Sequence, residues 1–518
     1  MAMHSWLGTG KSLQAGITIC CLVAFILFGY DQGVFSGLLQ NEDWKAQFGD
    51  PDSTETGIIV SSYNLGCLTG CIVNFFIGEK LGRRKTIWLA MAIVTIGAAL
   101  QASAFTVGHL IVGRVITGVG TGIKTSTVPP YQAELCDKSS RGRLVSAEVL
   151  FVGVGIVVAY WFDFGMSFVG GSIAWRLPLA FQIVFSLGVI VLVFGLPESP
   201  RWLFNHGHEA EAIDVLCAVY GKDADDEYIK EERDAIMEAI AIENASEKSL
   251  SFMSMFKKDD ICTRYRVLLA WGMQFMNQIG GINLVVYYIT IVLTNNVGMS
   301  PQLAQILGGC INTMFIIGSI GPTIALDRMG RRKTMMLGSF GLAVCMAFIS
   351  GLLSQAPKGD DSMRAKGFAA ASVAFFFLYM LIFGGSANCV PWVYVAEIVP
   401  LAARTRGAAI GVSSNWLWNF TIVMITPIVI ERLQWKAYLI FVITNLLFVP
   451  LVYFFYPETS NIGLEDIDKI FTAGGNPVTV SLQMAAEHKK LRKSGLSDVE
   501  SNKSDGKERS NVEMVEHA

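Results

Sequence analysis

Asp31 stands in Phe28-Gly29-Tyr30-Asp31-Gln32-Gly33, inside an apolar run from about residue 15 to residue 37. A carboxylate placed in hydrocarbon costs about 2.5–3.5 kcal/mol on insertion scales unless it is paired or hydrated. The partner offered by the sequence is Arg114, in Val112-Gly113-Arg114 near the start of another apolar run. Arginine keeps its charge, so Asp31 gives up its proton while paired and regains it when the two separate. The competing reading is a permanent ion pair that fixes helix packing. A second group of polar residues lies further on: Gln274, Asn277 and Gln278 at i, i+3 and i+4 share one helical face. Asn283 falls on the opposite face of a continuous helix, but Gly280-Gly281 between them can unwind the turn and bring it to the same side. Each amide supplies a donor and an acceptor, which is what a hydroxyl asks of a partner. Interhelical hydrogen bonding is the alternative use of the same groups.

The elements that must hold these residues are membrane spans. Hydrophobic residues make up 52% of the 518 and charged residues only 16%, and the mean hydropathy of +0.46 belongs to a chain in lipid. The expected fold is all-α, with twelve spans at about 15–37, 56–78, 86–105, 108–128, 144–165, 177–196, 266–293, 303–326, 334–354, 367–391, 406–430 and 436–456. A charged stretch with helical character over 226–244 separates the sixth from the seventh. The expected division is an N-terminal six-helix bundle over 1–196, a linker with short helices over 197–264, a C-terminal six-helix bundle over 265–456 and a largely disordered tail over 457–518, polar from Ser481 onward. Arg83, Arg84, Lys85, Lys138, Arg141, Arg143, Arg328, Arg331, Arg332, Lys333, Arg404 and Arg406 all fall in even-to-odd loops, which places those loops and both termini in the cytoplasm. The first run is too long for a signal-peptide core and reads as a retained helix. Ten cysteines, mostly in or beside apolar runs, read as small core residues.

The two halves repeat each other locally. Gly78-Glu79-Lys80-Leu81-Gly82-Arg83-Arg84 after span two matches Leu326-Asp327-Arg328-Met329-Gly330-Arg331-Arg332 after span eight. Glu134 with Arg141 after span four matches Glu397 with Arg404 after span ten. With Pro129-Pro130-Tyr131-Gln132-Ala133-Glu134, Pro197-Glu198-Ser199-Pro200-Arg201-Trp202-Leu203 and Pro457-Glu458-Thr459, these form an ordered set that resembles the signatures of the sugar porter family of the major facilitator superfamily, over about Leu13 to Phe471. The stretch Ala159-Tyr160-Trp161-Phe162-Asp163-Phe164-Gly165 resembles fungal members related to yeast-type glycerol/proton symporters.

The resemblance implies alternating access with a site between the halves, Asp31 and Arg114 as the coupling pair, and a sugar site built from Gln274, Asn277, Gln278, Asn283, Asn312, Asn415 and Asn419 beside Trp392 and Trp416. The spacing from Asn312 to Asp327 is longer than is common in the family. Tyr287 and Tyr288 read either as closing the pocket from outside or as packing aromatics. Glu79, Arg83, Arg84, Glu134, Arg141, Asp327, Arg331, Arg332, Glu397 and Arg404 are implied as gating groups that link helix ends in one conformation and release them in another. Two departures stand out: Val149, with Glu148 beside it, replaces a usual sugar-contacting Gln, and Gly384 replaces a usual Glu. No nucleotide-binding loop or metal-ligand cluster is present in the sequence, so no cofactor, metal or catalytic activity is expected, and net charge of −3 gives no field for nucleic acid. The expected partners are a small sugar or polyol, protons and the lipid bilayer, in the plasma membrane. A hexose or pentose is the expected substrate. A polyol or glycerol carrier is the rival within the class, and a nutrient sensor the rival outside it.

Overall fold

Hydropathy organises this chain, and caps and glycines decide where each helix stops. The computed structural model describes residues 7–136, 141–247, 259, 261–357, 362–400, 404–460, 462 and 466–493, without the side chains of 141–143, 145, 239, 242–247, 327, 328, 404–406 and 488–493. In order, the helices are α1 (Lys11–Leu38), α2 (Glu42–Phe48), α3 (Ser53–Leu81), α4 (Arg83–Ala102), α5 (Val107–Glu134), α6 (Arg141–Met166) and α7 (Ile173–Phe194). Short helices α8 (Pro200–Asn205), α9 (Glu209–Tyr220) and α10 (Glu227–Glu247) follow. The second half contains α11 (Thr263–Ile279), α12 (Ile282–Asn295), α13 (Pro301–Met329), α14 (Arg331–Ser354), α15 (Met363–Gly385), α16 (Cys389–Ile398), α17 (Arg404–Leu433) and α18 (Ala437–Phe455). The tail adds α19 (Ile467–Thr472) and α20 (Pro477–Lys493).

Among the described residues, ten helical segments are long and apolar enough to cross a membrane. The twelve expected runs map onto these ten and one more helix, because one 49-residue segment, Gly407–Phe455, holds both α17 and α18, and α5 falls outside the set. The 28-residue α5 has the length, but Arg114, Lys124 and a series of threonines lower its hydropathy. Two expected runs are broken: α11 and α12 part at Gly280-Gly281, and α15 and α16 part at Ser386–Asn388. Gly281 has φ +104°, and a Cβ there would lie 2.9 Å from the Phe441 ring, so both backbone and packing call for glycine. The tail is more ordered than its polarity implies. Ser481, at the head of the segment expected to be disordered, is buried in α20 and accepts a hydrogen bond from the Glu458 N–H at 2.9 Å.

Packing falls into two sets. In the first, α3 lies on α5, α4 on α5 and α7, and α1 on α6 and α7. In the second, α11 lies on α16 and α17, α13 on α15, and α14 on α15 and α18. The sets meet where α3 packs on α17, α6 on α13 and α1 on α12. That seam is polar near the C-terminal end of α1. The Tyr160 hydroxyl donates to the Val286 carbonyl at 2.8 Å and lies within hydrogen-bond distance of Ser36 Oγ, at 2.6 Å, Thr290 donates to the Ser36 carbonyl at 2.5 Å, and Ser53 donates to Glu431. Gly57 of α3 faces the Met424 carbonyl of α17 so closely that a Cβ would sit 2.4 Å from its oxygen.

The repeated loops cap helices in a repeated way. Glu198 accepts from the backbone N–H groups of Arg83 (2.8 Å) and Arg84 (3.1 Å) at the start of α4, and from that of its neighbour Ser199 (2.9 Å). Glu458 does the same for Arg331 (2.9 Å) and Arg332 (3.2 Å) at the start of α14, and accepts from its own neighbours Thr459 (3.2 Å) and Ser460 (3.1 Å). A carboxylate on free amides at a helix N-terminus answers orphan donors and the helix dipole together. Replacing Glu458 by Ala is therefore expected to destabilise the detergent-solubilised protein by about 1–3 kcal/mol, the cost of stranding those donors. A thermal melt reads it, and an unshifted midpoint would show that water serves the amides as well.

Candidate functional site

The break at Gly280-Gly281 places amides from α11 and α12 on one wall of a cavity of about 60 Å³ at the seam. Asn277, Gln278 and Asn283 line it, together with Asn415 and Asn419 of α17 and Trp392 of α16. Facing them, α1 contributes Phe25, Phe28 and Gln32, and α6 contributes Val149, Val152 and Ile156. The cavity is thus asymmetric: one wall carries the amides and an indole alongside Ile282, Val286, Phe315 and Phe383, and the other is mostly apolar. Val149 lies on the apolar wall, where a glutamine would have supplied a hydroxyl partner.

The amides form a chain. Asn283 Nδ2 donates to Gln278 Oε1 at 2.8 Å, Gln278 Nε2 to Asn277 Oδ1 at 2.6 Å, and Asn277 Nδ2 to the Ala387 carbonyl at 2.5 Å. Ala387 lies in the break between α15 and α16, so that break gives the chain its anchor. Asn415 Nδ2 donates to Gln274 Oε1 at 2.8 Å. Such a chain fixes the orientation of each amide before any ligand arrives.

Six of the ten expected substrate residues therefore reach the cavity: Asn277, Gln278, Asn283, Trp392, Asn415 and Asn419. The other four are outside its wall. Gln274 is buried behind Asn415, which it holds. Trp416 is buried behind Phe28, their ring centroids 5.5 Å apart. Tyr287 is buried on the side of α12 turned toward Asn64 and Arg114, and Asn312 donates to the Gly308 carbonyl one turn back, at 2.9 Å. Gln32 and Asn388 are cavity residues that sequence reasoning did not assign; a single Asn beside an unforeseen helix break carries no signal.

Asp31, next to Gln32, points away from the cavity into the first set of helices. It is buried, and its Oδ2 accepts from Tyr63 and Thr121, both at 3.3 Å. The expected contact with Arg114 is not made. Arg114 instead donates to the Ile59 carbonyl at 3.2 Å and the Val60 carbonyl at 2.6 Å, and its guanidinium lies 4.1 Å from the Phe35 ring centroid and 5.0 Å from that of Tyr63. Two carbonyls and two aromatic faces satisfy its planar fork, and Tyr63 occupies the position beside the carboxylate.

At the charged loops, Arg83 pairs with Glu79 at 2.8 Å and Glu134 at 3.3 Å, and Arg331 pairs with Glu397 at 2.6 Å. Each pair ties helix ends within one set and does not bridge the two. Arg84 and Arg332 play a different part: Arg84 donates to the Val193 and Phe194 carbonyls at the end of α7 (3.1 and 2.8 Å), and Arg332 to those of Val452 and Tyr453 at the end of α18. Cations there complement the C-terminal dipole. The side chains of Arg141, Asp327 and Arg404 lie outside the described residues. Burial pushes the Glu198 carboxyl above its ordinary value, although three backbone donors and Arg83 pull it the other way.

Membrane-length helices in two packed sets, with a polar cavity on the seam between them, define a multi-pass membrane transporter. The chain belongs to the sugar porter family of the major facilitator superfamily: the model of the family described as "Sugar (and other) transporter" matches residues 17–471. It is therefore a transporter and not an enzyme. It is 41% identical over 475 residues to the MFS-type transporter oryC of Aspergillus oryzae, covering 91% of this chain and 87% of that one. It is 36% identical over 508 residues to the sugar transporter STL1 of Saccharomyces cerevisiae, covering 96% and 87%. Its fold matches that of the proton:xylose symporter XylE bound to 6-bromo-6-deoxy-D-glucose, with a TM-score of 0.72, 22% identity, and coverage of 89% and 100%.

Proposed function

We propose that this protein is a proton-coupled monosaccharide symporter of the plasma membrane that works by alternating access, with twelve spans, both termini in the cytoplasm, six-helix bundles over 1–196 and 265–456, a linker over 197–264 and a tail over 457–518. The observation that carries the reading is the cavity wall on which Asn277, Gln278, Asn283, Asn415 and Asn419 surround Trp392. A pyranose offers hydroxyl edges to amides and a C–H face to an indole, and the wall supplies both. The polar seam at the Ser36, Thr290, Ser53 and Glu431 end, opposite the Arg-rich loops, supports an inward-facing conformation. The relative STL1 is a sugar transporter, which agrees with this class of substrate. Asp31 supplies the proton site: buried beside the cavity lining, it can be neutral while substrate moves and charged after release.

The apolar α6 wall, with Val149 in place of an amide, loosens selection among sugars more than it abolishes binding, because the other amides remain and water can serve the gap. Competition against labelled D-xylose or D-glucose, in cells lacking their own hexose carriers, tests the substrate class. Pyranoses are expected to displace label at lower concentration than sorbitol or glycerol. Displacement by a linear polyol at far lower concentration than by any pyranose would replace the monosaccharide reading with the polyol one.

A further inference from the structure

Lys124 is a second buried cation in the first set of helices, and nothing in the coupling scheme above uses it. Its side chain is 0% exposed, and its Nζ makes no hydrogen bond. Asp31, 1% exposed, has the same defect: Oδ2 holds two hydroxyls while Oδ1 has no partner. The two groups are neighbours. Thr121 of α5 donates to Asp31, and Lys124, three residues further along α5, occupies the same helical face. Asp31 and Lys124 are each other's strongest charged neighbour, and for Asp31 the lysine ranks ahead of Arg114. An unpartnered buried ammonium beside an unpartnered carboxylate oxygen is costly unless the two meet during function.

The two cations are not equivalent. Arg114 has its donors fixed on the Ile59 and Val60 carbonyls and its plane on Phe35 and Tyr63. Lys124 has a flexible stem and three rotatable donors, none of them engaged. We propose that Lys124, rather than Arg114, is the counter-cation that Asp31 takes when it releases its proton; this rests on the proton-coupled reading. On the inner side the Asp31 O–H bond breaks, the proton passes to water, the electron pair stays on the carboxylate, and the Lys124 ammonium, keeping its three protons, moves onto Oδ1. On the outer side a proton from water returns to Asp31 and the ammonium is released. Arg114, on α5, stays bonded to the α3 carbonyls throughout and serves as a positioning residue for Tyr63.

The other titratable groups around Asp31 are Tyr30 of α1, Tyr63 and Cys67 of α3, Arg114 of α5 and Tyr287 of α12. On α6, Glu148 neighbours Cys21 and Asp163 lies against Gly37, on either side of Asp31 along α1. Arg176 of α7 is bonded to the Ala102 carbonyl, and α9 meets α1 near Gly10 and Gln14. Removing the Lys124 charge favours the neutral carboxyl, so Asp31 must then hold its proton to higher pH.

Infrared titration of the purified full-length protein reads this directly, with the Asp31 carboxylic C=O band assigned by its loss in Asp31→Asn. Lys124→Met is expected to move the midpoint of that band up by at least about one pH unit, a tenfold gain in proton affinity, while Lys124→Arg leaves it in place and the Glu148 and Asp163 bands do not move. Lys124→Gln serves as the second variant should the methionine fail to fold. A midpoint that coincides with the wild type in the charge-removed variants, or one that Lys124→Arg shifts as far as Lys124→Met does, overturns the proposal. Proton-driven uptake by the wild type is measured in parallel. If that drive is absent while the Asp31 band still follows Lys124, the coupled reading fails and the charge partnership stands.

Discussion

Asp31→Asn is expected to lower accumulated sugar from a multiple of the outside concentration to the outside concentration itself, while energy-independent exchange of labelled for unlabelled sugar continues. The substitution removes the only titratable group at that position yet keeps its shape, and Tyr63 and Thr121, which donate to Asp31 at 3.3 Å, can still bond the amide oxygen. The substrate wall is on α11, α12, α16 and α17 and is untouched. A gradient of about two pH units carries about 2.8 kcal/mol, enough for about 100-fold accumulation at one proton per sugar, so the loss is large. Accumulation by Asp31→Asn equal to that of the wild type, at matched surface expression, rules out Asp31 as the coupling site.

Gln278→Ala is expected to raise the half-saturating sugar concentration by about 5- to 150-fold, the equivalent of about 1–3 kcal/mol for stranding hydrogen-bond partners. Gln278 is the middle of the amide chain: it accepts from Asn283 at 2.8 Å and donates to Asn277 at 2.6 Å. Its removal leaves a donor and an acceptor unfixed as well as taking away its own contacts with a hydroxyl. Asn283→Ala removes one end of the chain and is expected to fall in the lower part of the same range. Kinetics that do not change in either variant, with normal delivery to the membrane, would make these amides helix glue.

Much of the fold was legible because lipid imposes one rule on every span, and apolar runs of the required length stand out from charged loops. The break at Gly280-Gly281 was legible too, since a glycine pair between amides is a local signal. The break at Ser386–Asn388 was not, because it depends on what surrounds those residues, and it brought Ala387 and Asn388 into the site unannounced. Opposite charge suggested an Asp31 and Arg114 pair, but residue type does not fix where a guanidinium turns when carbonyls and aromatic faces compete for it. The roles of Glu198 and Glu458 depend on contacts 115 and 127 residues away in the chain, so their short motifs showed a repeat without showing its purpose. Polarity pointed to a disordered tail, whereas Ser481 and Val478 are buried where α20 meets Glu458.

The most direct test of the account uses the purified protein in sealed liposomes, with labelled D-xylose or D-glucose outside and an inward proton gradient imposed at zero time. Uptake is expected to overshoot the equilibrium level, and to fall back to it when a protonophore collapses the gradient. Uptake that climbs to the same equilibrium level with and without the gradient, and never passes it, would contradict proton-coupled sugar transport by this chain.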